Sequence, residues 1–479
     1  MKNNTNIVIN GFKKISEKPD LLNGALWKVL LQLSTPIIIA NLFQTFYNLT
    51  DAFWLGKLGK SALAAPTITF NIVFTIIAIA GGLGAGGMTV LAQYKGAGNT
   101  EKVNETASNT FVLLIIISTT LAILGYILTP QILTLMQTPS DAYLLTLNYM
   151  RIIFIGIPFV FGFYIYQGLM QGYGDTFNPM KISALTVTLN IILDPVLIFG
   201  LGPFPRMGVS GAAIATIFSQ FISSVIGISQ MMSGKYGLKL SFSGFRFNRE
   251  IVTAILKVGI PISISQTGTS FGFTVLMGIV NTFGSGVISA FGVGNRIISL
   301  LTTPAMGLAM GTSTVVAQNI GADRTDRAEH SVWVAALMNG VLLFVLTTLL
   351  FFFGASVVRF FINDPEVIEI GKSMFKITSY SVLFFSIMMI FNASFRGSGH
   401  TMPTLIMQLS RLWLLRIPFA WLLAKTMGYG ANGIFWAMFI SNTVTAIVSF
   451  IWFKSGSWKR KILPIAKENI ITEEIQALK

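Results

Sequence analysis

The 479-residue sequence contains no cysteine and only two histidines, His330 and His400. The first absence excludes disulfides, iron–sulfur clusters and thiolate metal sites, and the second argues against a histidine-ligated metal. Charge is scarce too. Asp, Glu, Lys and Arg make up 11% of the chain, against about 25% in a soluble globular protein. With 53% hydrophobic residues and a mean hydropathy of +0.70, the shortfall excludes a soluble enzyme, a disordered chain and a coiled coil. A Walker A lysine loop, an HExxH pair and a Ser/His/Asp layout are also missing, and no polar stretch is long enough for a nucleotide-binding domain. The expectation is a polytopic membrane protein that is not an enzyme, carries no cofactor and draws its energy from an ion gradient or a partner.

Apolar runs are what the sequence has in quantity. A spanning helix needs about 20 mostly apolar residues. Twelve stretches qualify: 28–55, 62–94, 107–128, 142–171, 178–200, 208–233, 250–283, 287–319, 330–353, 367–396, 402–425 and 431–455. The longest polar connection, Gly234–Arg249, follows the sixth. The expected organisation is therefore a cytoplasmic tail (1–27), an N-lobe of six helices (28–233), a cytoplasmic linker (234–249), a C-lobe of six helices (250–455) and a cytoplasmic tail (456–479). The first 27 residues are polar and lysine-bearing, with no apolar core before a small-residue cleavage site, so no cleaved signal peptide is expected.

The net charge of +15 fits this layout. With both ends inside, the cytoplasmic segments hold 20 Lys/Arg and the outer loops five: Lys57, Lys60, Arg206, Arg359 and Lys425. Positive charge accumulates on the cytoplasmic side, so the chain reads as N-in and C-in across a cell membrane. Nucleic acid is not needed to explain the basic excess.

The two halves repeat one another. At a shift of 225, Pro36 pairs with Pro261, Gly59 with Gly284 and Gly96-Ala97 with Gly321-Ala322. The string Thr89-Val90-Leu91-Ala92-Gln93 answers Thr314-Val315-Val316-Ala317-Gln318, and Gly172-Tyr173-Gly174 answers Gly397-Ser398-Gly399. At a shift of 222, Gly208 and Gly211 then answer Gly430 and Gly433. Six spans per half leave both halves in the same orientation, so the repeat is parallel. Two such lobes around a central cavity make an alternating-access transporter.

Of 18 acidic residues, only Asp51 and Asp194 lie well within apolar segments. A charge there costs several kcal/mol unless it is paired or hydrated. Asp51 ends a polar stripe of Asn41, Gln44 and Asn48, and Asp194 one of Ser183, Thr186 and Asn190. Steps of three and four place each stripe on one helix face. In the N-in topology each aspartate lies about four to six residues, or roughly 6–10 Å, below the outer end of its span. Tyr149 and Thr216, on spans entering from outside, fall at about the same depth. Two carboxylates sharing a low-dielectric pocket titrate as a unit and hold a proton or a small hard cation such as Na⁺. The bland alternative is that each caps a helix or meets a lysine, and the Asp194-Pro195 step keeps that reading open.

The second half lacks this pair. Asp51 maps onto Leu276, Asp194 maps near Ile417–Pro418, and the seventh span carries only Ser263, Gln266, Ser270 and Thr274. Arg411 and Arg416 lie in the eleventh span with no membrane acid in their own half. Contacts to helix ends or lipid phosphate are the expected role, and anionic substrate groups the sharper alternative. Gly82-Leu-Gly84-Ala-Gly86-Gly87 satisfies GxGxxG inside an apolar span, not after a strand, so close helix packing explains it. The 20 Met and 39 Phe read as packing or lipid-facing residues, with some suited to an adaptable cavity.

The stretch Pro36–Gly59, the AQ-x-x-GA strings at 92–97 and 317–322, Gly172-Tyr-Gly174-Asp-Thr176, Asn190-Ile-Ile-Leu-Asp194-Pro195 and Gly208-Val-Ser-Gly211 resemble the multidrug and toxic compound extrusion (MATE) family, DinF-like branch, over nearly the whole chain. The resemblance implies a V-shaped, two-lobed antiporter that exports organic, often cationic and amphipathic, compounds in exchange for H⁺ or Na⁺. It also implies an N-lobe coupling site of Asp51, Tyr149, Asn190, Asp194 and Thr216, and a first helix that bends near Pro36. The NorM-like branch uses acids in the seventh and tenth spans, where this chain has Gln266 and an apolar 380–395 stretch, so no C-lobe cation site is expected.

The expected function is thus secondary-active drug or toxin export by a monomer. Asn41, Gln44, Asn48 and Gln266 are candidate cavity residues, and no metal is expected beyond Na⁺ at the coupling site. A lipid or lipid-linked saccharide flippase of the same superfamily is the nearest rival. A major-facilitator carrier would have a basic GxxxDRxGRR-type loop after its second span, where this chain reads QYKGAGNTEK. An intramembrane enzyme lacks a visible nucleophile or metal motif, and a channel accounts less well for the bilobed repeat.

Overall fold

Inside a bilayer a backbone amide has no water to bond, so long apolar runs close their hydrogen bonds within a helix. The computed structural model describes residues 18–243 and 245–462, and twelve helices among them are long and apolar enough to span a membrane. They are α1 (Leu26–Leu58), α2 (Lys60–Gly96), α3 (Thr100–Leu135), α4 (Ser140–Tyr173), α5 (Phe177–Phe199), α6 (Val209–Ser233), α7 (Arg249–Asn281), α8 (Ser285–Gly321), α9 (Thr325–Phe361), α10 (Pro365–Ser398), α11 (Met402–Thr426) and α12 (Ala431–Lys454). The expected tail segments 1–17 and 463–479 lie outside the described residues.

Ten helices end within about four residues of their apolar stretches, but α3 and α9 run further. Hydropathy marks the bilayer, whereas a helix continues as long as its polar ends are capped. At the start of α3 the Asn99 side chain accepts from the Lys102 amide at 2.8 Å, and Lys102 pairs with Glu105 at 2.7 Å. α9 carries Asp326 in its first turn and Arg359 in its last, each the sign that complements the helix dipole. α11 departs in another way: it is π-wound over Ser410–Arg416 and again over Leu422–Thr426.

Within the first six helices α2 packs on α4, α4 on α6 and α5 on α6; within the last six α8 packs on α10, α10 on α12 and α7 on α11. The halves meet through α1 against α8 and through α2 against α7 and α8. These contacts gather at one end. There Leu83 and Leu91 of α2 share a core with Ile251 and Ile255 of α7, and Leu30 and Leu33 of α1 share one with Val315 and Val316 of α8. Towards the opposite end the apolar clusters stay within a half: Leu55, Tyr149 and Ile198 in the first, Leu276, Phe291 and Ile434 in the second. The molecule is a V, closed at the end that carries residues 96 and 321 and open at the other.

The repeated AQ-x-x-GA strings close it. Gln93 Nε2 donates to the carbonyls of Gly397 and Ser398 at 3.3 and 3.1 Å. Its counterpart Gln318 donates to the Gly172 carbonyl at 2.8 Å, so each half binds the matching turn of the other. A Cβ on Gly96 would overlap the Gln318 carbonyl, and one on Gly321 the Gln93 carbonyl, so glycine is what lets these backbones touch. Gly82 and Gly86 likewise press on Ser263 and Ile255 of α7, which is the packing role read for the GxGxxG match. The 234–249 connection lies along the end of α3, where Asn104, Ser108 and Asn109 accept from the amides of Lys239, Ser241 and Asn248.

Candidate functional site

α5 and α6 meet along a polar seam. Ser183, Thr186, Asn190 and Asp194 of α5 are all buried, and Thr186 makes a short hydroxyl contact with Ser223 of α6. The seam ends at Asp194, which is fully buried and accepts from Asn190 Nδ2 at 3.1 Å. Asp51 of α1 and Tyr149 of α4 both lie near enough to Asp194 to interact with it electrostatically. The structure therefore brings Asp51, Tyr149, Asn190 and Asp194 to one pocket among α1, α4 and α5.

Thr216 enters through a residue that sequence reasoning missed. Tyr47 is buried and donates from its hydroxyl to Thr216 Oγ1 at 2.8 Å, tying α1 to α6, and it interacts with Asp51, Tyr149 and Asp194. Its signal was there to read: Tyr47 precedes Asp51 by four residues, one helical turn on the same face. Counting only amides and carboxylates along the stripe passed over it.

Among the described residues neither aspartate has a Lys or Arg within 4 Å; the ion pairs there are Lys102–Glu105, Lys372–Glu369, Lys459–Glu329 and Lys461–Asp323. Nor does either accept from a backbone amide among the described residues. Asp51 Oδ1, Asn190 Oδ1 and Asp194 Oδ2 are buried without a hydrogen-bond partner. Three buried oxygens with spare lone pairs, among carboxylates that interact electrostatically with each other and with Tyr149, form a donor set suited to a proton or a hard cation.

The remaining stripe of α1 lies outside this pocket. Gln44 and Asn48 are exposed and bond each other at 3.4 Å, while Asn41 is half-buried. Gln266 of α7 is half-buried and approaches Gly81 of α2, so it sits at the junction of the halves and not beside the α1 stripe. Pro36 is buried within α1, which continues as helix on both sides of it. Arg411 and Arg416 are buried on α11, and they bond side chains of α11 and α12, not helix ends.

Comparison with known proteins gives a consistent picture. A family model described as MatE matches residues 36–196 and again 261–422, so each half carries one copy. "Probable multidrug resistance protein YoeA" of Bacillus subtilis is 27% identical over 91% of this chain and 95% of its own length. An FAD transporter of Shewanella oneidensis is 29% identical over 91% of this chain and 96% of its own. The solved structure of a MOP superfamily transporter from Pyrococcus furiosus, described as having a binding pocket of reverse polarity, superposes with a TM-score of 0.85 at 26% identity. That likeness covers 93% of this chain and all of the other.

Proposed function

Because the chain belongs to the MatE family, the multidrug and toxic compound extrusion transporters, we propose that it exports drug-like organic compounds in exchange for H⁺ or Na⁺, coupled through Asp51 and Asp194. One observation carries the coupling reading: two electrostatically interacting carboxylates in membrane-spanning helices, each with an unsatisfied buried oxygen and with no cationic partner among the described residues. In a low-dielectric pocket such a pair takes up a proton or a cation to limit its charge. The relatives named as multidrug resistance and multidrug export proteins support the substrate class.

Among the described residues Lys18, Lys95, Lys102, Arg324, Arg327 and the basic residues of the 234–249 linker lie at the closed end, so we read that end as facing the cytoplasm and the V as opening outward. Gln44 and Asn48 then line the open cleft, where an amphipathic substrate is released. A proton or Na⁺ arriving from outside enters the Asp51/Asp194 pocket and displaces the substrate. The loaded pocket draws α1 in around Pro36, where the missing amide makes the helix easiest to bend. Alternating access follows as the halves part at the glutamine contacts. The reading is tested by expressing the chain in cells stripped of their own exporters and following ethidium accumulation. Wild type lowers accumulation and Asp194→Asn, present in the membrane in equal amount, does not; equal protection by both proteins sinks the coupling mechanism.

A further inference from the structure

Two arginines buried in a membrane-spanning lobe without an acid partner ask for an explanation that the coupling pocket does not give. Arg411 and Arg416 are 5% and 7% exposed. Five residues apart on an ordinary α-helix, they would point about 140° from one another. The stretch Ser410–Arg416 is π-wound, and i→i+5 bonding brings residues five apart closer to one face of the helix. The helix distortion therefore turns both guanidiniums to one side.

They converge on Asn442 of α12. Arg411 Nη1 and Arg416 Nη2 donate to its Oδ1 at 3.4 and 2.6 Å. Asn442 Nδ2 donates in turn to Ser381 Oγ at 3.3 Å, which fixes the amide with its oxygen towards the arginines. Arg411 also donates to Gln408 Oε1 at 3.3 Å, Arg416 Nε donates to Ser441 Oγ at 3.0 Å, and the Phe385 ring covers the Arg411 guanidinium at 4.5 Å. Every one of these acceptors is neutral. Four hydrogen bonds leave many N–H donors unused, and Arg411 Nε is buried with no partner. No carboxylate lies within 4 Å of either guanidinium among the described residues. Two like charges held together away from water repel, and leaving buried charge unpaired is strongly destabilising. Planar forks of this kind match the paired oxygens of a carboxylate or phosphate.

The repeat sharpens the point. Ser441 answers Ser219 at the shift of 222, and Arg416 lies within two residues of the position that answers Asp194. The two halves thus hold opposite charge at matching places.

We propose that Arg411 and Arg416 form an oxyanion site in the second half of the transporter, which takes the carboxylate or phosphate of an anionic or zwitterionic amphiphile. The reading of the chain as an exporter supplies only the route by which that amphiphile arrives. The arginines lie 9 and 14 residues into α11, roughly 14 and 21 Å from its inner end. In a hydrocarbon core about 30 Å thick that is well below the headgroups, so the ligand is a solute reaching the lobe from the cleft.

Fluorescence polarisation of carboxyfluorescein with the purified full chain in phosphatidylcholine nanodiscs tests this, comparing wild type, Arg411→Gln/Arg416→Gln and Arg411→Lys/Arg416→Lys. Wild type binds saturably, the glutamine pair binds at least ten-fold more weakly, and the lysine pair, which keeps the charge but not the fork, falls between them. No saturable binding by wild type, or equal binding by wild type and a monodisperse glutamine pair, overturns the site. If the glutamine pair does not fold, equal binding by the lysine pair and wild type overturns it. Native mass spectrometry after addition of phosphatidylglycerol separates the sources: a lipid retained by wild type and lost from the glutamine pair, without carboxyfluorescein binding, overturns the solute route and assigns the oxyanion to a headgroup. Ethidium efflux by wild type is measured in parallel, and its absence counts against the export reading and not against this one.

Discussion

At the residue scale, buried charge is treated unequally. Asp194 has one hydrogen bond, from Asn190, and one oxygen with none. A hydrogen bond to a charged acceptor contributes about 1.5–3 kcal/mol, so Asn190→Ala lowers ethidium efflux by about ten-fold or more with the protein amount unchanged; an efflux rate equal to wild type contradicts the role given to Asn190. Tyr47→Phe removes only the hydroxyl bond to Thr216. It lowers efflux several-fold while sparing stability, because the ring still fills its buried place; an unchanged efflux rate contradicts the part given to Tyr47. The aspartates were legible in the sequence because charge is so rare in apolar spans that each instance stands out. Tyr47 was not, since a tyrosine in a membrane helix is unremarkable until a partner on another helix, 169 residues away, is known.

At the element scale the decisive contacts are those between halves. The AQ-x-x-GA repeat was plain in the sequence, but its purpose was not. A repeat says that two segments share a conformation and not that Gln93 reaches a carbonyl 304 residues away. Nor did hydropathy foresee the π-wound turns of α11, because it counts apolar atoms and is blind to which carbonyl each amide meets. Gly96→Val places side-chain atoms against the Gln318 carbonyl and forces the closed end apart. The chain has no cysteine of its own, so nitroxides at Asn99→Cys and Thr325→Cys report on that end without background. Their distance distribution is narrow in the parent and longer and broader in Gly96→Val; superimposable distributions contradict a closure held by this contact.

At the scale of the whole molecule, twelve spans and a repeat of the two halves were readable from composition and periodicity, because the bilayer constrains helix length directly. How far the halves separate was not readable, since that depends on which apolar clusters merge and which stay apart. The orientation has its own test in the cysteine-free background. Ser233→Cys, at the end of α6, is protected from an impermeant maleimide in intact cells and labelled after lysis, whereas Ser140→Cys, at the start of α4, is labelled from outside; the reverse pattern contradicts the N-in, C-in arrangement.

The central claim is that an ion gradient drives export through Asp51 and Asp194. Its most direct test is ethidium efflux from proteoliposomes under a pH gradient alone and under a Na⁺ gradient alone, with Asp51→Asn and Asp194→Asn beside wild type. The account predicts export by wild type under one of the two gradients and loss of that export in both variants. Gradient-driven export that persists in either variant contradicts it.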